Sequence, residues 1–279
     1  MSMDAAAPTG GRVFVVGSIN VDTVIRVKTH PRPGETVHAS GQVTAPGGKG
    51  GNQAAAAARA GASTLMVGRV GSDVPGGTYV EHLSALGVDC SLVQVAETAT
   101  GQATVMVDDA GENSIIVLEG ANGSVTLADI AAMAPLLRAG DVLSTQYELQ
   151  APIVEAALVA ARAAGAYSIL NPSPWQDRPE LIALADLVVV NELEAEQLVL
   201  DGEGVCLTLG AGGARWGAVG VPAPRITPVD TTGAGDAFTG TLAAGIAAGT
   251  DRRQLLADAV AAASDACLRP NAQDWARRP

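Results

Sequence analysis

Apolar runs alternate along this chain with stretches rich in alanine and leucine. Six runs predict strands, because most of their positions are apolar and turn residues bound them: RVFVVGS, STLMVGRVG, DVLSTQ, YSILNPS, DLVVVNE and VCLTLG. Five further segments have the composition of helices: NQAAAAARAG, GGTYVEHLSALG, LADIAAMAPLLRAG, APIVEAALVAARAAG and NELEAEQLVL. Continuously apolar strands that alternate with helices predict an α/β fold, in which helices cover both faces of a parallel sheet.

Four of the predicted helices end at a glycine: Gly61, Gly87, Gly140 and Gly165. A residue without Cβ adopts the left-handed conformation that often terminates a helix at little cost. We therefore expect left-handed caps at these four positions.

Two segments, residues 21–45 and 98–119, break the alternation with short, half-polar strands joined by turns such as Asp109-Ala110-Gly111-Glu112. They predict a small antiparallel sheet that projects from the main body. Such a sheet typically covers a ligand, another subunit, or both. No long linker or internal repeat separates a second unit, so we expect one domain over residues 1–279 with these two lid segments inserted in it.

The composition narrows the functional classes. The chain is 48% hydrophobic and 16% charged, as expected of a compact globular protein. It has neither an apolar segment behind a basic N-terminus nor 18 uninterrupted apolar residues, so we expect no signal peptide, no membrane span and a cytoplasmic location. The net charge of −12 argues against a nucleic-acid partner. The cysteines and histidines lack metal-ligand spacing, which predicts reduced thiols.

Candidate chemistry begins at the end of the first predicted strand, VFVVGSINVD. Asn20 and Asp22 lie two positions apart, so both side chains point to the same side of an extended chain. An amide beside a carboxylate suits vicinal hydroxyl groups. A polar turn that Asn and Asp merely cap accounts for this pair equally well.

The second candidate is PGGKGGNQAAAAARAG, residues 46–61, in which four glycines flank Lys49. Glycines let the backbone approach a ligand closely, and Lys49 supplies a point charge. Asn52 either opens the following helix as its cap or binds a hydroxyl. The motif is not a P-loop, because no Ser or Thr follows the lysine and the spacing differs.

The third candidate is VDTTGAGDAFTG, residues 229–240. If a helix begins near Ala234, the amides of Gly233, Ala234 and Gly235 are unpaired and form an anion site. Asp236 then lies in the first turn, where it can accept a proton from an attacking hydroxyl. The alternative is an ordinary turn, because a shuffled chain of this glycine content would contain Gly-x-Gly-Asp about once in four tries.

Taken together, these stretches resemble the PfkB-type carbohydrate kinases. The resemblance runs from about Val13 to about Gln273, in the family's order: GSINVD, PGETV, GGKGGNQA, NPSP, NELEAE, LTLGAGG and DTTGAGDAF. The lysine of GGKGGNQA brings the chain nearest to the ribokinases of that family. The resemblance implies a three-layer fold with a mostly parallel central sheet and a small β-sheet lid. It also implies transfer of the γ-phosphoryl group of ATP to the primary hydroxyl of a pentose, D-ribose, giving ribose 5-phosphate.

The resemblance assigns a role to individual residues. It implies that the sugar is bound by Asn20, Asp22, Gly48, Lys49, Asn52, Glu148 and Asp236. It makes Asp236 the catalytic base, with an anion hole at Gly233, Ala234 and Gly235. It implies a nucleotide site at Asn191, Thr208, Gly210 and Gly213. Two ion sites are implied as well: Mg²⁺, held through water by Asn191 and Glu194, and K⁺, held by Asp230 and Thr232. The implied assembly is a homodimer that pairs through the lid sheets.

Departures from the family pattern keep alternatives open. Only residues 201–204 separate NELEAEQLVL from VCLTLG, where the family usually has a further helix. Asp265 stands where the last helix usually has an apolar residue, and no asparagine stands at the position beside the adenine. The alternatives are a kinase for another sugar or a nucleoside, and a weakly active or inactive sugar-binding relative caused by the shortened 200–205 region. The 3% of aromatic residues disfavours a nucleoside. A nucleotide-binding dehydrogenase ranks far below, because no strand leads into Gly-x-Gly-x-x-Gly.

Overall fold

The computed structural model describes residues 10–110, 112–198 and 202–273. Its strands are β1 (Val13–Val16), β2 (Asn20–Val27), β3 (Ala39–Gly47), β4 (Thr64–Gly71), β5 (Val88–Ala96), β6 (Gln102–Val107), β7 (Asn113–Leu118), β8 (Val142–Gln146), β9 (Tyr167–Asn171), β10 (Leu187–Asn191), β11 (Val205–Thr208), β12 (Ala214–Trp216) and β13 (Val219–Val221). Its helices are α1 (Lys49–Arg59), α2 (Val74–Ala85), α3 (Leu127–Met133), α4 (Ala151–Ala164), α5 (Pro179–Ile182), α6 (Glu192–Ala195), α7 (Ala234–Ala247) and α8 (Arg252–Ala266).

The central sheet confirms the predicted α/β fold. Its nine strands have the order β13-β12-β11-β10-β9-β8-β1-β4-β5. The six predicted strands are neighbours in it and pair in parallel. Over the described residues, the only antiparallel pairings in this sheet are those of β12 with β11 and with β13, where β12 and β13 form a short hairpin at one edge. The sequence patterns missed β5 at the opposite edge, because its exposed and buried positions do not form a continuous apolar run.

Strand β1 shows how the two layers of helices are supported. Val13 and Val15 pack in one core cluster with α1, α7 and α8, whereas Phe14 and Val16 pack in the other with α3 and α4. All four side chains are fully buried. A strand whose alternate side chains enter two cores has no polar face, which is the reason for its continuous apolar run.

The predicted glycine caps are confirmed at Gly61, Gly87 and Gly165, which follow α1, α2 and α4. The cap prediction was wrong at Gly140, because α3 ends at Met133 and one 3₁₀ turn follows it, so that Gly140 lies in a later turn. Gly61, Gly87, Gly140 and Gly165 all have positive φ. A second predicted helix is also shorter than expected. In the segment NELEAEQLVL, only Glu192–Ala195 is helical among the described residues, and residues 199–201 lie outside them. The helix prediction was therefore wrong for residues 196–198, where the chain turns instead.

The lid sheet has the order β3-β2-β6-β7. β2 pairs antiparallel with β3, and β6 pairs antiparallel with β7, but β2 and β6 are parallel. The expectation of an antiparallel sheet was wrong at this central pair. The reason is that the chain passes through α1, β4, α2 and β5 between these two strands, a crossover that returns it in the same direction. The predicted turn at 109–112 includes residue 111, which lies outside the described residues.

None of the described helices combines the length and the apolar composition that a membrane span requires. The three cysteines, Cys90, Cys206 and Cys267, form no disulfide.

Candidate active site

The glycine motif packs directly against the start of β2. Gly48 precedes α1 with φ of 78°, and a Cβ there would lie 2.7 Å from the backbone nitrogen of Asn20. A Cβ on Gly47 would lie 1.9 Å from Oδ2 of Asp22. Glycine is required at both positions because no larger residue leaves room for this approach. The first two candidate stretches therefore form one surface.

Glu148, which follows β8, joins that surface. Its Oε2 accepts a hydrogen bond from the backbone N–H of Lys49 at 2.9 Å and another from the hydroxyl of Ser18. A carboxylate at the start of α1 is stabilised by the unpaired amides of the first turn. Glu148, which the resemblance makes a sugar ligand, thus lies against the glycine motif.

The third stretch, residues 229–240, comes from near the other end of the chain and contacts the glycine-motif helix α1. Helix α7 begins at Ala234, as expected, and Asp236 in its first turn is only 5% exposed. Oδ2 of Asp236 accepts a hydrogen bond from Nδ2 of Asn52 at 2.9 Å. Oδ1 accepts one from Nε2 of Gln53 at 3.1 Å. Both carboxylate oxygens are therefore held by neighbouring amides of α1.

Gln53 is a site residue that the sequence reasoning missed. It is fully buried, and its Oε1 accepts hydrogen bonds from the hydroxyl of Ser144 at 2.8 Å and from Nε2 of Gln146 at 2.7 Å. These donors direct the NH₂ group of Gln53 toward Asp236. The available signal was a long polar side chain at the start of an otherwise alanine-rich helix, since such a group is buried only when it has partners.

Charges couple the candidate residues. The negative charge of Asp236 is the largest influence on Lys49 and raises the pKa of the ammonium group, with smaller contributions from Glu148 and Glu194 that burial partly offsets. Burial raises the pKa of Asp22 from 3.8 to about 7, and the nearby charge of Glu148 adds to the shift. Oδ1 of Asp22 is buried and has no hydrogen-bond partner among the described residues. An unpaired carboxylate oxygen of this kind suits a ligand that brings its own donor groups.

A second missed residue, Asn122, lies behind Asn20. Its Nδ2 donates to Oδ1 of Asn20 at 2.7 Å, while its own Oδ1 accepts from the backbone N–H of Ile19 at 2.9 Å. The hydrogen bond from Asn122 occupies the carbonyl oxygen of Asn20, so the NH₂ group of Asn20 is the end that can donate to a ligand. Beside these residues lies a cavity of about 700 Å³, which Ser18 and Glu148 also line.

The start of α7 differs in one detail from the predicted anion site. The N–H of Ala234 donates to the carbonyl of Thr231 at 3.3 Å, so the expectation of an unpaired amide was wrong there, because the turn closes on itself before the helix starts. Over the described residues, the N–H groups of Gly233 and Gly235 have no hydrogen-bond acceptor. Gly233 has φ of 76°, a conformation suited to glycine. Two backbone donors thus remain at the positive end of the helix dipole.

Asp230 fastens the turn before α7 to the loop after α8. Its Oδ1 accepts from the N–H of Thr232 at 2.8 Å, and its Oδ2 accepts from the N–H of Asn271 at 2.9 Å. Burial works to raise the pKa of Asp230, but these hydrogen bonds outweigh it and lower the pKa below its usual value. The two predicted cation ligands are therefore adjacent, and the contact between them runs through the backbone of Thr232.

The predicted nucleotide residues lie at one end of neighbouring strands. Asn191 ends β10, Thr208 ends β11, and the two residues are paired in register. Asn191 and Glu194 bond reciprocally as a capping box, with Glu194 N–H to Asn191 Oδ1 at 2.8 Å and Asn191 N–H to Glu194 Oε2 at 3.0 Å. Gly210 and Gly213 shape the following turn with φ of 51° and 95°. Crevices at this end of a parallel sheet commonly bind ligands.

The chain matches a family model described as pfkB family carbohydrate kinase over residues 11–277. It is 33% identical to the ribokinase of Staphylococcus aureus (strain COL) over 275 residues, which cover 89% of this chain and 90% of that protein. It is 32% identical to the deoxyribokinase of Salmonella typhi over 257 residues, or 83% of this chain and 84% of that protein.

Among solved structures, that of Arabidopsis thaliana ribokinase complexed with ribose and ATP superimposes with a TM-score of 0.83. It is 30% identical to this chain, and the match covers 95% of each chain. Family match, fold and motif order agree over nearly the whole length, so this chain belongs to the pfkB family of carbohydrate kinases.

Proposed function

We propose that the protein is an ATP-dependent sugar kinase that transfers the γ-phosphoryl group to the primary hydroxyl of a pentose, D-ribose at O5. The observation that carries this proposal is the burial of Asp236 at the start of α7, hydrogen-bonded to the glycine-motif helix that also presents Lys49. The carboxylate of Asp236 is a proton acceptor, and the ammonium group of Lys49 is a nearby cation. The free N–H groups of Gly233 and Gly235 lie at the start of the same helix as Asp236. Phosphoryl transfer needs this combination, because catalysis consists mainly of positioning and charge stabilisation.

In the proposed reaction the sugar lies between β2 and α1. The carboxylates of Asp22 and Glu148 accept hydrogen bonds from ring hydroxyls, while Lys49 and the NH₂ group of Asn20 donate hydrogen bonds to hydroxyl oxygens. Asp236 accepts the proton of the primary hydroxyl as its oxygen attacks the γ-phosphorus. The new P–O bond forms as the bond to the bridging oxygen breaks, and ADP leaves. The N–H groups of Gly233 and Gly235 stabilise the charge on the transferred group.

Mg²⁺ would be held near Asn191 and Glu194, together with the phosphates. Within the described ranges, no three His, Cys, Asp or Glu side chains cluster as a metal site. This fits Mg²⁺, which keeps several waters and commonly takes one or two carboxylates plus substrate phosphates. The exposed capping box supplies one carboxylate and one amide oxygen. When bound, the ion neutralises the negative charge that develops on the phosphates.

We propose that ATP binds over Thr208, Gly210 and Gly213, with the phosphates toward α7. K⁺ would bind beside Asp230 and Thr232. The carboxylate of Asp230 fits a cation, because two hydrogen bonds leave lone pairs free on its oxygens and its lowered pKa keeps it ionised. A cation there would steady the turn that carries Gly233.

Deoxyribose is a second candidate substrate, favoured by the similarity to the deoxyribokinase of Salmonella typhi. The two sugars differ in one hydroxyl, so a contact with that hydroxyl would decide between them. A site built to bind a hydroxyl rejects the analogue that lacks it, because its buried polar groups are left unpaired.

A coupled assay of ADP release tests the proposal. The purified protein is given ATP and Mg²⁺, with and without K⁺, and ribose, deoxyribose, fructose or adenosine in turn. Ribose-dependent ADP release that EDTA abolishes supports ribose phosphorylation. Sugar-dependent thermal stabilisation without ADP release would identify an inactive sugar-binding relative instead.

We also propose that the protein forms a homodimer through its lid sheets. Five large apolar side chains of the lid are more than half exposed: Val43, Ile115, Ile116, Val117 and Leu118. Four of them are consecutive on the edge strand β7, and Val43 lies on β3 at the other edge of the lid. A concentration of exposed apolar residues like that on β7 marks an interaction surface. A second copy would cover this surface and the exposed strand edges of the lid at once.

A further inference from the structure

Gln273, on the loop that follows α8, is buried behind the proposed catalytic residue. Its side chain is 1% exposed although the residue lies in an irregular segment. Its Nε2 lies 2.8 Å from Oδ1 of Asn52 and 2.7 Å from the hydroxyl oxygen of Tyr79. Asn52 in turn contacts Asp236. A buried amide with this many partners has only one orientation that satisfies them all.

Tyr79 fixes which end of the Gln273 amide faces Asn52. The tyrosine hydroxyl donates its single proton to the carbonyl of Gly47 at 2.7 Å. Burial raises the pKa of Tyr79 well above its ordinary value, so the hydroxyl keeps that proton. Its oxygen can therefore only accept from Gln273, and the NH₂ group of Gln273 points toward Tyr79 and Asn52.

His82 agrees with this orientation. Its Nε2 lies 3.1 Å from Oε1 of Gln273. Burial lowers the pKa of His82, which favours the neutral ring, and the acceptor at Gln273 then selects the tautomer that carries its proton on Nε2. The donors thus run in one direction, from His82 to Gln273, from Gln273 to Asn52, and from Asn52 to Asp236.

We propose that Gln273 is a positioning residue that acts through Asn52 on the carboxylate of Asp236. Because Gln273 donates to Oδ1 of Asn52, the NH₂ group of Asn52 is left to face Asp236. A reversed Asn52 would set its carbonyl oxygen against the carboxylate and push it away. The proposal rests on the proposed function, in which Asp236 must meet the primary hydroxyl of the sugar.

The same loop supports two further parts of the site. The N–H of Asn271 donates to Asp230, and a Cβ on Gly233 would lie 2.3 Å from Cβ of Ala272. Asn271, Ala272 and Gln273 therefore lie against three different parts of the site. These parts are Asp230, Gly233 and Asn52, in that order. The loop fixes these groups relative to one another.

The test replaces Gln273 in two ways. Q273M keeps the length but removes the hydrogen bonds, and Q273E keeps the shape but can only accept. We expect kcat to fall about 10- to 100-fold, as for a small misplacement of a reacting group, while the KM for the sugar changes less than about threefold. Q254M, at an exposed glutamine of α8 that bonds Asp258, is the control and should leave kcat unchanged. Thermal unfolding identifies the folded variants, and Q273M stands in if the buried charge of Q273E prevents folding.

A double-mutant cycle with N52L separates positioning from mere packing. In the N52L background, Q273M should lower kcat by less than about twofold, because the Asn52 amide through which Gln273 acts on Asp236 is already absent. Losses that multiply would overturn the proposal. If wild-type protein phosphorylates none of the sugars, the proposed function fails, and a crystal structure of Q273E (or of Q273M) still decides the role of Gln273. A separation between Asn52 and Asp236 above about 3.5 Å supports that role, whereas an unchanged hydrogen bond contradicts it.

Discussion

The side chains of Asn52 and Asp236 are hydrogen-bonded at 2.9 Å although 184 positions separate them in the chain. One belongs to the glycine motif near the N-terminus and the other to the glycine-rich turn before α7. Both side chains are buried, so the contact is not an incidental surface pairing. The turn before α7 by itself is also explained as an ordinary glycine-rich turn, but the contact with Asn52 makes the two motifs halves of one candidate site.

The first prediction concerns the proposed base. Asp236→Asn should lower kcat for ribose by roughly 10²- to 10⁴-fold, because an amide cannot accept the proton of the attacking hydroxyl. The replacement has the same shape, so the KM for the sugar should change little. The midpoint of thermal unfolding should fall, because the new NH₂ group faces a donor of Asn52 or of Gln53 in a buried site. Steady-state ADP release measures the effect. Unimpaired turnover in a folded variant would rule out this residue as the base.

The second prediction compares two glycines at the ends of α7. Gly233 and Gly249 both have positive φ, but only Gly233 has a neighbour, Ala272, in the space of a Cβ. Gly249→Ala should lower the free energy of unfolding by about 1–2 kcal/mol, the cost of left-handed backbone alone. Gly233→Ala should cost more and should also reduce kcat, because the loop must move away from the anion site. Urea unfolding and kinetics check both, and equal stability losses would argue against the packing explanation.

The third prediction follows from Asp22, whose pKa is raised from 3.8 to about 7 by burial and by the charge of Glu148. Between these values the folded state binds a proton that the unfolded state has lost. The contribution of Asp22 to stability is therefore full below about pH 4 and is lost as the pH rises toward 7. Thermal unfolding between pH 4 and 8 should show a steeper decline for wild type than for Asp22→Asn. Identical slopes would contradict the assignment.

Ribose binding should show the opposite trend, since sugar hydroxyls donate to the ionised form of Asp22. The affinity of the free enzyme for ribose should weaken by up to about tenfold per pH unit below pH 7, because binding then requires loss of a proton. Isothermal titration calorimetry at several pH values measures this dependence. Asp22→Asn should bind weakly at every pH and remove the acidic limb.

The fourth prediction concerns assembly. Ile116→Asp introduces a charge on the exposed lid strand β7 and should convert the proposed dimer to a monomer, because the unpaired carboxylate would be buried between two lids. Val74→Asp is the control, since Val74 is even more exposed but lies at the start of α2. Size-exclusion chromatography with light scattering distinguishes the two. A dimer that survives Ile116→Asp would exclude this surface.

The elements with continuous apolar patterns could be predicted because their physical causes are local. A strand such as β1, buried on both faces, must be apolar throughout, and Gly165 caps a helix through a conformation that is a property of one residue. Edge strand β5 escaped prediction, since its mixture of exposed and buried positions forms no continuous apolar run. Residues 196–198 were wrongly predicted to continue a helix, because their composition alone does not show that the helix ends at Ala195.

The site could be predicted only in part. Lys49 and Asp236 stood out because they lie among glycines, and Asp22 because it follows Asn20 by two positions after an apolar strand. Gln53 and Gln273 did not stand out in the sequence, since the role of a glutamine depends on hydrogen-bond partners that only folding brings close to it. The parallel pairing of β2 with β6 escaped for a similar reason, because it depends on the path of the chain between them.

The hydrogen bond between Gln273 and Asn52 has a consequence for the order of events in biosynthesis. It joins residues that are 221 positions apart, so it closes only after almost all of this sequence has left the ribosome. Until then, Asn52 on α1 has neither of its two partners, because Asp236 belongs to α7 and Gln273 to the loop after α8. A nascent chain that has already formed its central sheet therefore still lacks the complete candidate site, because α7 and the loop with Gln273 both follow the last strand of that sheet.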